Sequence, residues 1–402
     1  MVNEMTHAVP VSGSCEPGWE GVRAAIESNF ASTGETGCSV AVFHRGRPVV
    51  DLVAGWVDQE RTVPYTADNL QVVFSTTKGI AATALAMCVD RGLVDYHRPV
   101  SHYWPEFGAH GKEGVTVAQM VSHRAGLYTI DETLGLEEIL DDVRIARALA
   151  DTKPRWEPGT AHGYHALTYG WLVGELVRRV DGRDIGRFVN EEIAAPLGVD
   201  LHIGLPDRLH HRVAPLMQEK SKSAGGAESA EAKAARELIE RMLGPDTPGG
   251  QALSLSGMWT GEGLFNRPAV LRAQIPAAGA ATNARSLATM YAALQTPVNG
   301  VQLLSNAALA AATANQTPVN EGDKCLIMPT VFSMGYMMHS IFTQYAGPGS
   351  FGHPGFGGSV AFLQPERELS FGYAMNALAA NLAGDTRAQA LIDAAVRCAD
   401  AA

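Results

Sequence analysis

The chain has 402 residues, 46% of them apolar and 18% charged, a balance that suits a soluble globular protein of two sub-domains with a sizeable core. The formal net charge of −11 argues against nucleic acid or an anionic membrane surface as a partner. Five cysteines (Cys15, Cys38, Cys88, Cys325 and Cys398), an odd number without metal-type or Cys-x-x-Cys spacing, point to a reducing, cytoplasmic setting. Met1 to Cys15 lacks a basic region followed by a continuous apolar segment, and no later stretch reads as a membrane span. The expectation is a protein that is neither exported nor membrane-bound; its oligomeric state is not legible at this level.

After a polar leader, Gly18 to Phe30 reads as a helix, and Ser39 to Phe43 and Arg47 to Gly55 read as a hairpin turning at His44 to Gly46. An apolar, alanine-rich helix follows and stops near Arg91-Gly92. Pro99 to Val213 is mainly helical in pattern, with Thr168 to Asp181 its strongest amphipathic segment. Between Met217 and Glu240 the composition shifts to Lys, Ser, Ala, Glu and Gly, as in a solvated loop or helix, or a mobile lid. Asn283 to Leu294 resumes a helix. The strands expected next are Phe332 to Met338, Ser359 to Leu363 and Leu369 to Ala374, before a last helix from Thr386 to Ala399. Strands at both ends imply an α/β domain built from residues 17–98 and 284–402, a mainly helical domain over 99–283, and a cleft between them.

Chemistry enters at Gln71 to Ala82, where Ser75 and Lys78 lie three positions apart at the start of a helix. At that spacing the side chains are neighbours on one face, so an amine can take the proton of the hydroxyl. The helix N-terminus favours negative charge on the serine oxygen or beside it. The blander alternative is an N-capping serine and a solvated lysine. Against it stands the apolar setting of Val72, Val73, Phe74 and Ile80 to Val89, in which a poorly hydrated lysine loses its proton near neutrality.

Four segments in order then resemble one family. They are Phe74-Ser-Thr-Thr-Lys-Gly79, Val121-Ser-His-Arg-Ala-Gly-Leu127, Trp156-Glu-Pro-Gly-Thr160 running on to Gly163-Tyr-His-Ala166, and Gly352-His-Pro-Gly-Phe-Gly-Gly-Ser359. Together they resemble the serine β-lactamase and penicillin-binding-protein-like hydrolases, in the class C-type branch that holds family VIII-like carboxylesterases and D-aminopeptidases. The resemblance spans roughly residues 20 to 395. It implies an α+β fold with an antiparallel sheet flanked by helices, an all-helical domain, and the active site in the cleft.

The same resemblance implies roles. Ser75 is the nucleophile, and Lys78 activates it alone or with Tyr164, a division left open here. The backbone N–H groups of Ser75 and Phe356 form the oxyanion hole, with a slip to Gly357 as the alternative. Tyr128, His353, Gly355 and Gly357 line the substrate site. His162, His165, His210 and His211 complete no metal-ligand spacing, so no metal and no cofactor are expected.

Departures from the β-lactamase pattern narrow the activity. Ala166 stands where Tyr-x-Asn places an amide, and Pro354 stands where a hydroxyl would hold a substrate carboxylate. A site without those handles suits neutral short-acyl esters, since an unpaired buried carboxylate costs several kcal/mol. The expected activity is therefore serine carboxylesterase acting on a small-molecule ester. A β-lactamase, a D-aminopeptidase or acyltransferase, and a catalytically silent penicillin-binding-like module are the alternatives.

Overall fold

The computed structural model describes residues 9–218, 240–241, 243–261, 263–318, 321–379 and 384–402. Seven strands make the main sheet: β1 (Val11–Cys15), β2 (Gly37–His44), β3 (Arg47–Gly55), β8 (Met337–Met338), β9 (Phe351–Pro354), β10 (Val360–Gln364) and β11 (Leu369–Met375). Their order is β1-β3-β2-β11-β10-β9-β8, antiparallel throughout, so the two ends of the chain meet at the β2–β11 pair.

Alternate residues of the central strands go to different cores. Ala41 and Phe43 of β2, Ala361 and Leu363 of β10 and Ala374 of β11 face the large core, which holds the helix Ala284–Gln295 and the helical region. Val40 and Val42, Val360 and Phe362, and Phe371 and Tyr373 face the other way, onto the helices Glu20–Ser32 and Thr386–Ala401. With both faces covered, the strands read in sequence as unbroken apolar runs.

A smaller three-stranded sheet lies apart from the main one. It consists of β4 (Gln71–Val72), β7 (Ala280–Thr282) and β5 (Leu201–Ile203), with β7 in the middle and both partners antiparallel. A further two-residue parallel pair joins β6 (Met217–Gln218) to β12 (Ala377–Leu378). From β4 the chain turns into the helix Thr77–Asp90, of which Thr77 to Cys88 is buried without a break. A helix apolar all round belongs inside, and this one packs in the same core as Thr168–Asp181.

Several expectations change. The polar leader contains an edge strand, β1, whose central residues are exposed and which pairs with β3 from Val11 opposite Ala54 to Cys15 opposite Val50. Phe332 to Met338 is not one strand: Gly335 has φ +102°, the chain turns back on itself, and only Met337–Met338 joins the sheet. The strand β5 lies inside the stretch expected to be helical. The proposed lid over 217–240 lies mostly outside the described residues. No helix among the described residues is long and apolar enough to cross a membrane.

Gly79 is the tightest point of the buried helix. A Cβ there would overlap the hydroxyl of Tyr291, itself fully buried. Gly79→Ala, which in an open helix would stabilise by up to about 1 kcal/mol, is expected here to destabilise by about 1–3 kcal/mol. Thermal unfolding checks this; a raised Tm would show that Tyr291 yields.

Candidate active site

Ser75 sits on a short 3-10 turn, Phe74–Thr76, between β4 and the buried helix. Val73 N–H donates to the Ala280 carbonyl (3.1 Å) and Thr77 Oγ1 accepts from Ala280 N–H (3.0 Å), so β7 fixes the turn from one side. Phe74 has a left-handed backbone (φ +45°), a conformation that costs a bulky residue on the order of 1–3 kcal/mol. Its ring meets Phe265 and Phe356 edge-on, at centroid distances of 4.7 and 5.5 Å, which offsets that strain. The Ser75 and Phe356 N–H groups have no hydrogen-bond partner among the described residues.

Lys78 is completely buried. Its amine reaches Ser75 Oγ (3.1 Å), the Ala166 carbonyl (2.7 Å) and the Ala277 carbonyl (2.9 Å), and lies 4.8 Å from the centre of the Tyr164 ring. No carboxylate pairs with it among the described residues, and burial alone drives its pKa well below the ordinary lysine value. In its neutral form this amine would give its two N–H groups to the two carbonyls and turn its lone pair to the Ser75 hydroxyl. Ala166 and Ala277 thus serve through their backbones, and neither position is legible as a site residue from its side chain.

Tyr164 donates to Ser75 Oγ from the other side (2.8 Å). Burial pushes its phenol above the ordinary value, with the Ser75 hydrogen bond pulling back less strongly, so it carries its proton at neutral pH. The loop that presents it is held by buried polar groups. Asp323 accepts from Tyr164 N–H (2.9 Å), from Cys325 N–H (2.8 Å) and Leu326 N–H (2.9 Å), and from Thr330 (2.9 Å). His165 N–H donates to His123 Nδ1 (3.0 Å), while the His165 ring accepts from Leu127 N–H (2.8 Å) and donates to the Gly163 carbonyl (2.6 Å). Burial lowers both imidazoles, His165 to about 4, and keeps them neutral. These histidines are a framework, and no group of three or more potential metal ligands occurs among the described residues.

The remaining expected residues gather around the same centre in different ways. His353 lies on β9 with its ring stacked on Tyr164 (5.8 Å, 27°); Nδ1 donates to the Pro354 carbonyl (2.7 Å), and Nε2 is buried without a partner. Burial, the largest cause, lowers its pKa to about 3. Tyr128 shares an apolar cluster with Tyr164, Ala166 and Phe332, stacks on Trp156 (5.8 Å) and donates to Gln251 (3.4 Å). Gly355 and Gly357 do not open space for a ligand. A side chain at Gly355 would overlap Ser359 Oγ and the Val73 carbonyl, and one at Gly357 (φ +82°) would overlap Leu378.

The turn Phe356–Gly358 between β9 and β10 is anchored from two directions that sequence reasoning missed. Ser359 Oγ donates to the Val73 carbonyl (2.8 Å) and touches Thr76 Oγ1 (3.1 Å), joining this turn to the Ser75 turn. Arg387, 2% exposed, donates to the Gly357 carbonyl (2.6 Å) and the Ala377 carbonyl (2.9 Å), and pairs with Asp385 (2.7 Å) and Glu35 (3.6 Å). These ties span up to several hundred residues of sequence, and no local pattern marked them.

The Beta-lactamase family model matches residues 22–395 of this chain. The chain belongs to the beta-lactamase family. The esterase/beta-lactamase LipL of Mycobacterium tuberculosis (strain ATCC 25618 / H37Rv) is 36% identical over 372 residues, 92% of this chain and 83% of that protein. Among solved structures, a family VIII carboxylesterase is 34% identical with a TM-score of 0.85, covering 97% of this chain and 100% of its own. A penicillin-binding protein homolog from Caulobacter crescentus is 37% identical with the same TM-score and coverage. This beta-lactamase-family chain therefore has the β-lactamase/transpeptidase-like α+β fold expected from its four motifs.

Ser359→Ala is expected to leave the fold standing, at a cost of about 1 kcal/mol. Loosening the tie between the two turns should slow phosphonylation of Ser75 by a p-nitrophenyl phosphonate roughly 10- to 100-fold. Unchanged labelling would mean that Arg387 alone holds the Phe356 turn.

Proposed function

We propose that the protein is a serine carboxylesterase that cleaves short-acyl esters through an acyl-enzyme on Ser75. The observation that carries this reading is the pair of contacts on Ser75 Oγ, from a buried amine at 3.1 Å and from a phenol at 2.8 Å. The esterase/beta-lactamase relative and the family VIII carboxylesterase structure support the reaction class.

In the proposed cycle Lys78 takes the Ser75 proton as Oγ bonds to the ester carbonyl carbon. The N–H groups of Ser75 and Phe356 receive the negative charge that develops on the carbonyl oxygen, in a site where water is scarce and such donors act strongly. The carbon–oxygen bond to the alcohol then breaks. Tyr164 gives its proton to the departing oxygen and regains one from the Lys78 ammonium. Water repeats the sequence on the acyl-enzyme, freeing the acid and Ser75. Lys78 is assigned as the base because burial lowers its pKa while burial raises that of Tyr164, so each starts in the protonation state its step requires. Ala166 offers a methyl group where an amide would grip a β-lactam side chain, and Pro354 offers no hydroxyl for a carboxylate. Both favour a neutral ester.

The test is p-nitrophenyl acetate turnover with mass spectrometry of the intact protein and peptide mapping of any adduct, alongside a penicillin. Ester turnover with an acyl group mapped to Ser75, lost in Ser75→Ala, is the expected result. Lys78→Ala should lower the acylation rate by about 10²–10⁴-fold or more. Turnover undiminished in Ser75→Ala would refute the assignment of the nucleophile. Rapid penicillin acylation with little ester turnover would move the activity to the penicillin-binding side.

A further inference from the structure

A cavity of about 480 Å³ lies against the turns that carry Ser75 and Phe356. Its wall includes Phe74, the residue before the nucleophile, and Phe356, the residue assigned to the oxyanion hole, whereas Lys78, Tyr128 and Tyr164 do not line it. Phe74, Phe356, Phe265 and Trp259 form a continuous set of edge-on rings, with Trp259 5.6 Å from Phe265. Such a set offers ring edges and faces to another ring. None of the described lining residues is charged. The polar ones are largely occupied by one another: Asn266 exchanges two hydrogen bonds with the Leu216 backbone (both 2.9 Å), and Gln59 donates to the Gln218 carbonyl (3.4 Å). The buried indole N–H of Trp259 has no partner among the described residues.

The four substituents of the tetrahedral carbon decide what enters. One is Ser75 Oγ, one is the oxyanion at the two N–H groups, and one is the departing oxygen, which must lie by the Tyr164 hydroxyl to receive its proton. The acyl substituent is left, and the cavity walled by Phe74, next to Ser75, and by Phe356 is the space assigned to it. Its volume lies in the range of sites that enclose a whole small ligand, far more than an acetyl methyl group fills.

Resting on the ester-hydrolase reading above, we propose that this cavity is the acyl pocket and that it selects neutral, ring-bearing acyl groups of the arylacetyl class over acetyl. The chemistry at Ser75 is unchanged: the bond from Oγ to the acyl carbon forms, the bond to the alcohol oxygen breaks, and the alcohol leaves with the proton from Tyr164. Selection arises because the ring is removed from water against apolar walls in both the bound ester and the transition state.

The experiment compares kcat/KM for p-nitrophenyl acetate and p-nitrophenyl phenylacetate, which share a leaving group. The wild-type ratio of phenylacetate to acetate is expected to exceed about tenfold. Leu216→Trp, which places an indole inside the cavity, should lower that ratio by about tenfold or more. A wild-type ratio of one or less, or a ratio unaltered in a Leu216→Trp protein that melts cooperatively, overturns the pocket while leaving the esterase reading intact. Should Leu216→Trp fail to fold, the wild-type ratio decides alone. Absence of turnover for both esters, with no labelling of Ser75 by a p-nitrophenyl phosphonate, overturns the ester-hydrolase reading and the pocket with it.

Discussion

Everything about the site depends on a lysine amine that has no counterion. An ammonium ion taken out of water without a carboxylate is costly, and the cheapest response is to release its proton. Lys78 is held between two backbone carbonyls and Ser75 Oγ, and on the proposed account it rests neutral there with its lone pair turned to Ser75 Oγ. The fold supplies this by enclosing the helix Thr77–Asp90 on all sides, with the carbonyls contributed by the Tyr164 loop and by the segment leading into β7.

The second constraint is that two turns, far apart in sequence, must stay in register. Ser75 ends a strand-to-helix turn in the first quarter of the chain, and Phe356 lies on a turn near its end. Ser359 bonds directly across the gap, and Arg387 holds the far side of the Phe356 turn while it compensates Glu35 and Asp385. A buried arginine with two carboxylates is a weak source of net stability but a strong means of imposing one geometry, since losing any member leaves a bare charge inside. The Phe356 turn is thus tied to the helix Thr386–Ala401 and, through Glu35, to the loop that precedes β2.

How much of this was legible depended on whether the cause was local. The strands β2, β10 and β11 are sandwiched and so appear as largely apolar runs, while Thr168–Asp181 shows its amphipathic period directly. The edge strand β1, with Ser12, Gly13 and Ser14 exposed, carries almost no apolar signal, and the turn at Gly335 hid within a run that looked continuous. Ser75 and Lys78 were visible because three residues separate them on one helix, and Tyr164 through the motif around it. Asp323, Ser359 and Arg387 were not, because their partners are distant in sequence and no periodicity marks them. Ala166 and Ala277 act through carbonyls, which every residue possesses. Gly355 and Gly357 were expected to admit substrate, whereas close packing by Ser359, Val73 and Leu378 is what requires them.

The central claim is that Lys78 is neutral when the protein is ready to react. Carbon NMR of protein labelled at the lysine ε carbon measures this directly, with the Lys78 resonance assigned by its loss in Lys78→Arg. That resonance should titrate well below the ordinary lysine value of about 10.4 and show the neutral shift at pH 7. A resonance that titrates near or above the ordinary value would contradict the account and return the role of base to Tyr164.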